Sequence, residues 1–78
     1  MKKSIQPLQA FLKEKRRMLK ITQQQLAVKS GVGLRFIREM EQGKASLRMD
    51  KVNQVLLMFG YELGPVPLDR NKLIDEES

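Results

Sequence analysis

Gly31-Val32-Gly33 interrupts a stretch that would otherwise continue as one helix, and no other feature limits the fold of this chain so strongly. In ITQQQLAVKSGVGLRFIREMEQG, residues 21–43, it separates two helical patterns. Each is about two turns long, too short to be stable without tertiary packing. Two short helices joined by a few residues that include a glycine can cross at a steep angle, holding the second clear of the body. Thr22 is placed as an N-cap, and Gln25 three residues later completes the pattern of a capping box. The first of the two helices is therefore expected over Gln23–Ser30, ending at Gly31, which adopts a left-handed backbone without steric cost. Gly33 caps the second, over 34–41, which Gln42-Gly43 closes. Leu26, Ala27, Val32, Ile37 and Met40 are apolar or small and must face inward. That leaves Leu34, Arg35, Arg38 and Glu39 facing outward.

The flanks supply two more helices. Ile5, Leu8, Phe11, Leu12, Met18 and Leu19 recur largely at helical spacing, with Lys13, Glu14, Arg17 and Lys20 mostly between them. Pro7 suits a first turn, so a helix is predicted over about 7–19. Met49, Val52, Val55, Leu56 and Phe59 predict a fourth from about Arg48 to Phe59, with Asp50 near its positive end and Gly60 terminating it. Met40, Met49 and Met58 fall at core spacing and read as packing. Beyond Gly60, YELGPVPLDR contains two prolines and a glycine and cannot continue as helix. Tyr61-Glu62-Leu63 and Val66-Pro67-Leu68 alternate as an extended edge strand would. Residues 70–78 read as a frayed acidic tail.

Composition narrows the chemistry. The 78 residues contain no Cys and no His, which excludes zinc fingers, thiol redox chemistry and His-based catalysis. No carboxylate pair forms an acid/base constellation, so neither an enzyme nor a metal or cofactor site is expected. The longest apolar run, Val55–Phe59, is five residues, against the roughly 20 that span a bilayer. No membrane partner and a cytoplasmic location follow as expectations. Charge is uneven: residues 1–50 carry 12 Lys/Arg against 4 Asp/Glu, and residues 51–78 carry 3 against 5. A basic domain of this kind suits a polyanion, nucleic acid before membrane, although a solvated basic face would show the same count. Lys13-x-Lys15-Arg16-Arg17 reads mainly as such a face, and Lys2-Lys3 as a loose terminus. Phe36 suits either half-buried packing or a nucleic-acid contact. With three Phe and one Tyr, stacking platforms for single strands are scarce.

Thr22-Gln23, Leu26-Ala27, Gly31-Val32, Ile37 and Glu41-x-Gly43 together resemble the Xre/Cro-type helix-turn-helix family over about residues 8–60. The resemblance implies an all-α, compact four- to five-helix, lambda-repressor-like bundle that binds double-stranded DNA at a palindromic operator as a homodimer. "GYEL" and "PVP" after the fourth helix resemble more narrowly the HipB-type antitoxins, autorepressors encoded beside a HipA-type kinase toxin, whose post-helical strand pairs with that of a second subunit. The implied division is residues 1–60 as DNA-binding domain, 61–69 as a dimerisation segment and 70–78 as a disordered tail. By position, Gly33, Leu34, Arg35 and Arg38 match base-reading residues; either arginine can take a guanine bidentately and Leu34 can touch a thymine methyl. Gln23, Lys44 and Arg48 match phosphate contacts. Arg16 and Glu41 match a structural ion pair, and Tyr61, Leu63, Val66 and Leu68 a dimer interface. Gly33 stands where the family favours Ser, Thr or Lys, and Leu34 where Gln or Arg is frequent, so no operator sequence follows. Alternatives are a phage-type or metabolic repressor and a module that mainly sequesters a protein partner. The short stretch after the fourth helix is expected to leave no room for a ligand-sensing domain.

Overall fold

The computed structural model describes residues 7–67. Among them are four helices, α1 Leu8–Leu19, α2 Gln23–Ser30, α3 Leu34–Glu41 and α4 Met49–Leu57. The expected bundle is present in outline; no fifth helix and no strand form among the described residues.

Leu12, Leu26, Ala27, Val32, Ile37, Met40, Val52, Val55 and Leu56 make one core to which every helix contributes. Five of these are the positions assigned inward around the glycine break, and all five are buried. Leu8, Phe11, Ile21, Leu34, Phe36, Leu47, Met58 and Phe59 pack around this centre. Because α2 and α3 have only eight residues each, burial against α1 and α4 stabilises them far more than helix propensity does.

The ends of the helices follow local chemistry. Pro7 precedes α1 as its N-cap instead of lying in the first turn. α2 has the full capping box: Gln25 N–H donates to Thr22 Oγ1 at 3.0 Å, and Thr22 N–H donates to Gln25 Oε1 at 2.8 Å. α1 ends on Lys20 in the left-handed region, φ 56°, a conformation that costs a non-glycine residue about 1–2 kcal/mol. Partial compensation comes from Arg16, whose Nη1 donates to the Ile21 carbonyl at 3.1 Å and ties down the chain just past the turn.

Two expectations need correction. Met49 is 68% exposed and does not belong to the core; it starts α4, one turn before Val52 reaches the interior. The helix also stops at Leu57, with Phe59 and Gly60 N–H closing turns onto Leu56 and Leu57 carbonyls. In the single chain residues 61–67 form no strand, and two of their N–H groups bond within their own domain. Tyr61 N–H bonds to the Leu56 carbonyl and Leu63 N–H to Asn53 Oδ1 at 2.7 Å. The Tyr61 ring meets Phe11 edge-on at 4.8 Å, with Lys15 Nζ over both rings. Met18 and Leu19, which helped define α1, are exposed at its last turn. Ile5, Lys2, Lys3, Leu68 and the acidic tail lie outside the described residues.

Candidate nucleic-acid interface

The glycine break sets the angle of α3. Gly31 has φ 82°, and its N–H returns to the Ala27 carbonyl at 2.9 Å. The buried Ser30 hydroxyl donates to the Ala27 carbonyl and accepts from Val32 N–H. From α4, Gln54 Nε2 donates to the Ser30 carbonyl at 2.8 Å, so the turn is fastened from outside as well. Val32 is inserted beneath it. Gly33 has ordinary extended backbone, and a Cβ placed there would meet nothing within 4 Å. Its missing side chain therefore leaves open space at the start of α3.

A buried polar clamp holds the opposite end of the two-helix unit. Arg16 on α1 donates Nε to Glu41 Oε2 at 2.7 Å and Nη2 to Oε1 at 3.1 Å. Gln23, the first residue of α2, donates Nε2 to Glu41 Oε1 at 3.0 Å. Three helices thus converge on one carboxylate that is only 4% exposed. Burial pushes the Glu41 carboxyl upward, but the Arg16 and Gln23 hydrogen bonds and the Arg16 and Lys13 charges outweigh it, leaving the group below the usual carboxylate range. Gln23 is held by this clamp, which uses one of the two N–H donors of its side-chain amide.

What α3 presents outward is cationic. Arg35 is 91% exposed, and Arg38 lies three residues on, on the same side of the helix. Leu34 is half-buried and packs against the core, so only part of it faces out. Arg38 has no ion-pair partner among the described residues. Arg35 Nε lies 3.3 Å from Glu39 Oε2, and Lys44 Nζ lies 3.4 Å from the same oxygen. The residues matched to base contact and to phosphate contact therefore adjoin through Glu39. Arg48 is separate: it forms a two-point pair with Asp50, the shorter contact being 2.7 Å. Both side chains are exposed, so this pair can exchange for a phosphate at little cost. Phe36 is half-buried, with Lys51 Nζ 5.9 Å from its ring centre. The sequence does not announce the contact of Glu39 with Lys44; only its i,i+4 spacing from Arg35 signals a pair.

Among the described residues no cluster of acidic side chains is suited to a metal ion. No helix there is long and apolar enough to cross a membrane. A family model described as helix-turn-helix, the Xre/Cro type, matches residues 12–66. No curated protein and no solved structure gives a significant match.

Proposed function

The chain belongs to the Xre/Cro-type helix-turn-helix family, and from that membership we propose that it is a sequence-specific DNA-binding repressor reading the major groove with α3. The observation that carries this is the exposed Arg35 and Arg38 on a helix held at both ends, by the Gly31 turn and by the Glu41 clamp. Arginine is suited to guanine because its fork meets O6 and N7 together, each good bidentate contact discriminating by about 1–3 kcal/mol. Lys44 and Arg48, both in the loop between α3 and α4, can neutralise phosphates, fixing the register of α3 on the duplex. Gly33 and Leu34 complete the base-facing set, the first by leaving room and the second by offering apolar contact to a thymine methyl.

The active form in this reading is a two-fold dimer on a palindromic operator. Tyr61, Leu63 and Val66 are exposed apolar residues on the segment after α4, a surface that a second copy can cover; Leu68, next in the alternating sequence pattern, joins them in this reading. Strand pairing of residues 61–69 across the two-fold axis would compete with the bonds that Tyr61 and Leu63 N–H make to Leu56 and Asn53 in the single chain. The finer role is that of an autoregulating antitoxin of a HipA-type toxin module, supported by the "GYEL" and "PVP" segments. Fluorescence anisotropy with duplex from upstream of its own gene, against a scrambled duplex of equal length, tests the proposal. The autorepressor reading requires the first to bind about 10³-fold tighter or better. Equal, weak binding to both would refute autorepression.

A further inference from the structure

Glu39 poses a problem for a surface that meets a polyanion. It places a carboxylate within 3.4 Å of both cations that the proposed function assigns to DNA contact. A plain i,i+4 pair with Arg35, of the kind that slightly steadies a short helix, would account for half of this. It does not account for Lys44. That residue lies beyond the end of α3 and reaches Glu39 because the chain reverses at Gly43, φ 80°. Lys44 N–H then donates to the Glu39 carbonyl at 3.1 Å. Backbone and side chain of one residue thus both hold Lys44.

We propose that Glu39 is a specificity-determining positioning residue, which aims Arg35 and withholds positive charge from DNA of the wrong sequence. This rests on α3 being the reading helix. The geometry supports both parts. The contact with Arg35 is made at Nε, 3.3 Å from the carboxylate, and the terminal nitrogens are the ones that form the fork guanine accepts. Glu39 is 24% exposed against 91% for Arg35, so the guanidinium is much the more accessible of the two groups. An arginine held in this way loses less rotamer freedom on binding its base. At a wrong sequence, where no guanine meets the fork, the patch offers phosphates two cations already partly neutralised. The carboxylate therefore weakens sequence-independent attraction more than it weakens the matched complex.

The test compares wild type, Glu39→Gln and Glu39→Asp on a duplex selected from a random library and on a scrambled duplex, over a series of salt concentrations. Removing the charge is expected to raise affinity for the scrambled duplex about fivefold, the effect of one unit charge at about 4 Å in water. The salt slope should steepen, and the matched duplex should gain less, so the ratio between the two falls. Glu39→Asp keeps the charge and shortens the reach; the ratio should fall with scrambled binding unchanged. An equal gain on both duplexes with Glu39→Gln, or a wild-type ratio in either variant, overturns the proposal while leaving the DNA-reading helix intact. A wild-type protein that does not distinguish the duplexes overturns the proposed function itself, and this inference with it.

Discussion

Replacing Glu41 by Gln removes one charge and almost no volume, and the clamp geometry sets the cost. The carboxylate accepts two bonds from Arg16, at 2.7 and 3.1 Å, and one from Gln23 at 3.0 Å, using both oxygens. An amide has one accepting oxygen. Placed at the Oε1 position, it keeps the Arg16 Nη2 and Gln23 bonds but turns its NH2 group toward Arg16 Nε, donor against donor. Placed the other way, it keeps the shortest bond and leaves two donors facing its NH2 group. Deleting one partner of a buried pair costs about 3–5 kcal/mol. Arg16 retains 22% exposure and can turn its freed nitrogens toward water, so about 2–3 kcal/mol is expected. In a domain of this size that lowers the midpoint of thermal unfolding by roughly 10–20 °C. The pH dependence gives an independent check. A carboxylate whose folded pKa is depressed stabilises fully above its unfolded pKa of about 4.3, and that stability is lost as pH falls through the folded value. Unfolding followed by circular dichroism at neutral pH and through the acid range should show a large deficit for Glu41→Gln that narrows as the wild type loses this contribution. A variant within about 0.5 kcal/mol of wild type at neutral pH, or a deficit that does not change with acid, would refute the clamp as a stabilising charge centre.

Other consequences follow from the same structure. Lys44→Ala should weaken matched and scrambled duplexes together and reduce the salt slope by about one unit, as anisotropy titrations at several salt concentrations would show. A slope equal to wild type would remove Lys44 from the phosphate contacts. Gly31→Ala meets a left-handed backbone and sets a Cβ 2.9 Å from Gln54 Nε2, displacing the bond to the Ser30 carbonyl. Denaturant unfolding should register a loss of about 1–2 kcal/mol, and an unchanged midpoint would mean that the turn tolerates a side chain. Truncation before Tyr61 should raise the dimer dissociation constant in sedimentation, whereas an unaltered dimer would rule out the intermolecular strand.

What the chain revealed in advance was what lies close together along it. The Thr22–Gln25 box, the Gly31 stop and the inward set around Val32 are each fixed within a few residues, where spacing and stereochemistry decide. The pairing of Arg16 with Glu41 spans 25 positions and came from family resemblance, since no local rule joins them. Met49 misled because spacing gives the face of a helix but not the level along its axis at which the interior begins. Lys20 ends α1 without the glycine that normally marks such a turn, so no local signal announced it. Residues 61–67 alternate as a strand would, yet pairing requires a neighbour that the sequence pattern does not supply. In the single chain Phe11 and Asn53 take those contacts instead. The charge economy at Glu39 was hidden for a related reason: Lys44 reaches it only after the reversal at Gly43.

The claim on which the rest depends is that α3 reads bases. The most direct measurement is selection from a random duplex library by the wild type, Arg35→Ala and Arg38→Ala in parallel. The wild type should enrich two inverted half-sites whose centres lie about 10–10.5 base pairs apart, one turn of the duplex. Each variant should lose preference at its own guanine position, by about 1–3 kcal/mol, while the other positions remain selected. Enrichment of the same motif by all three proteins, or of no motif by the wild type, would contradict the account.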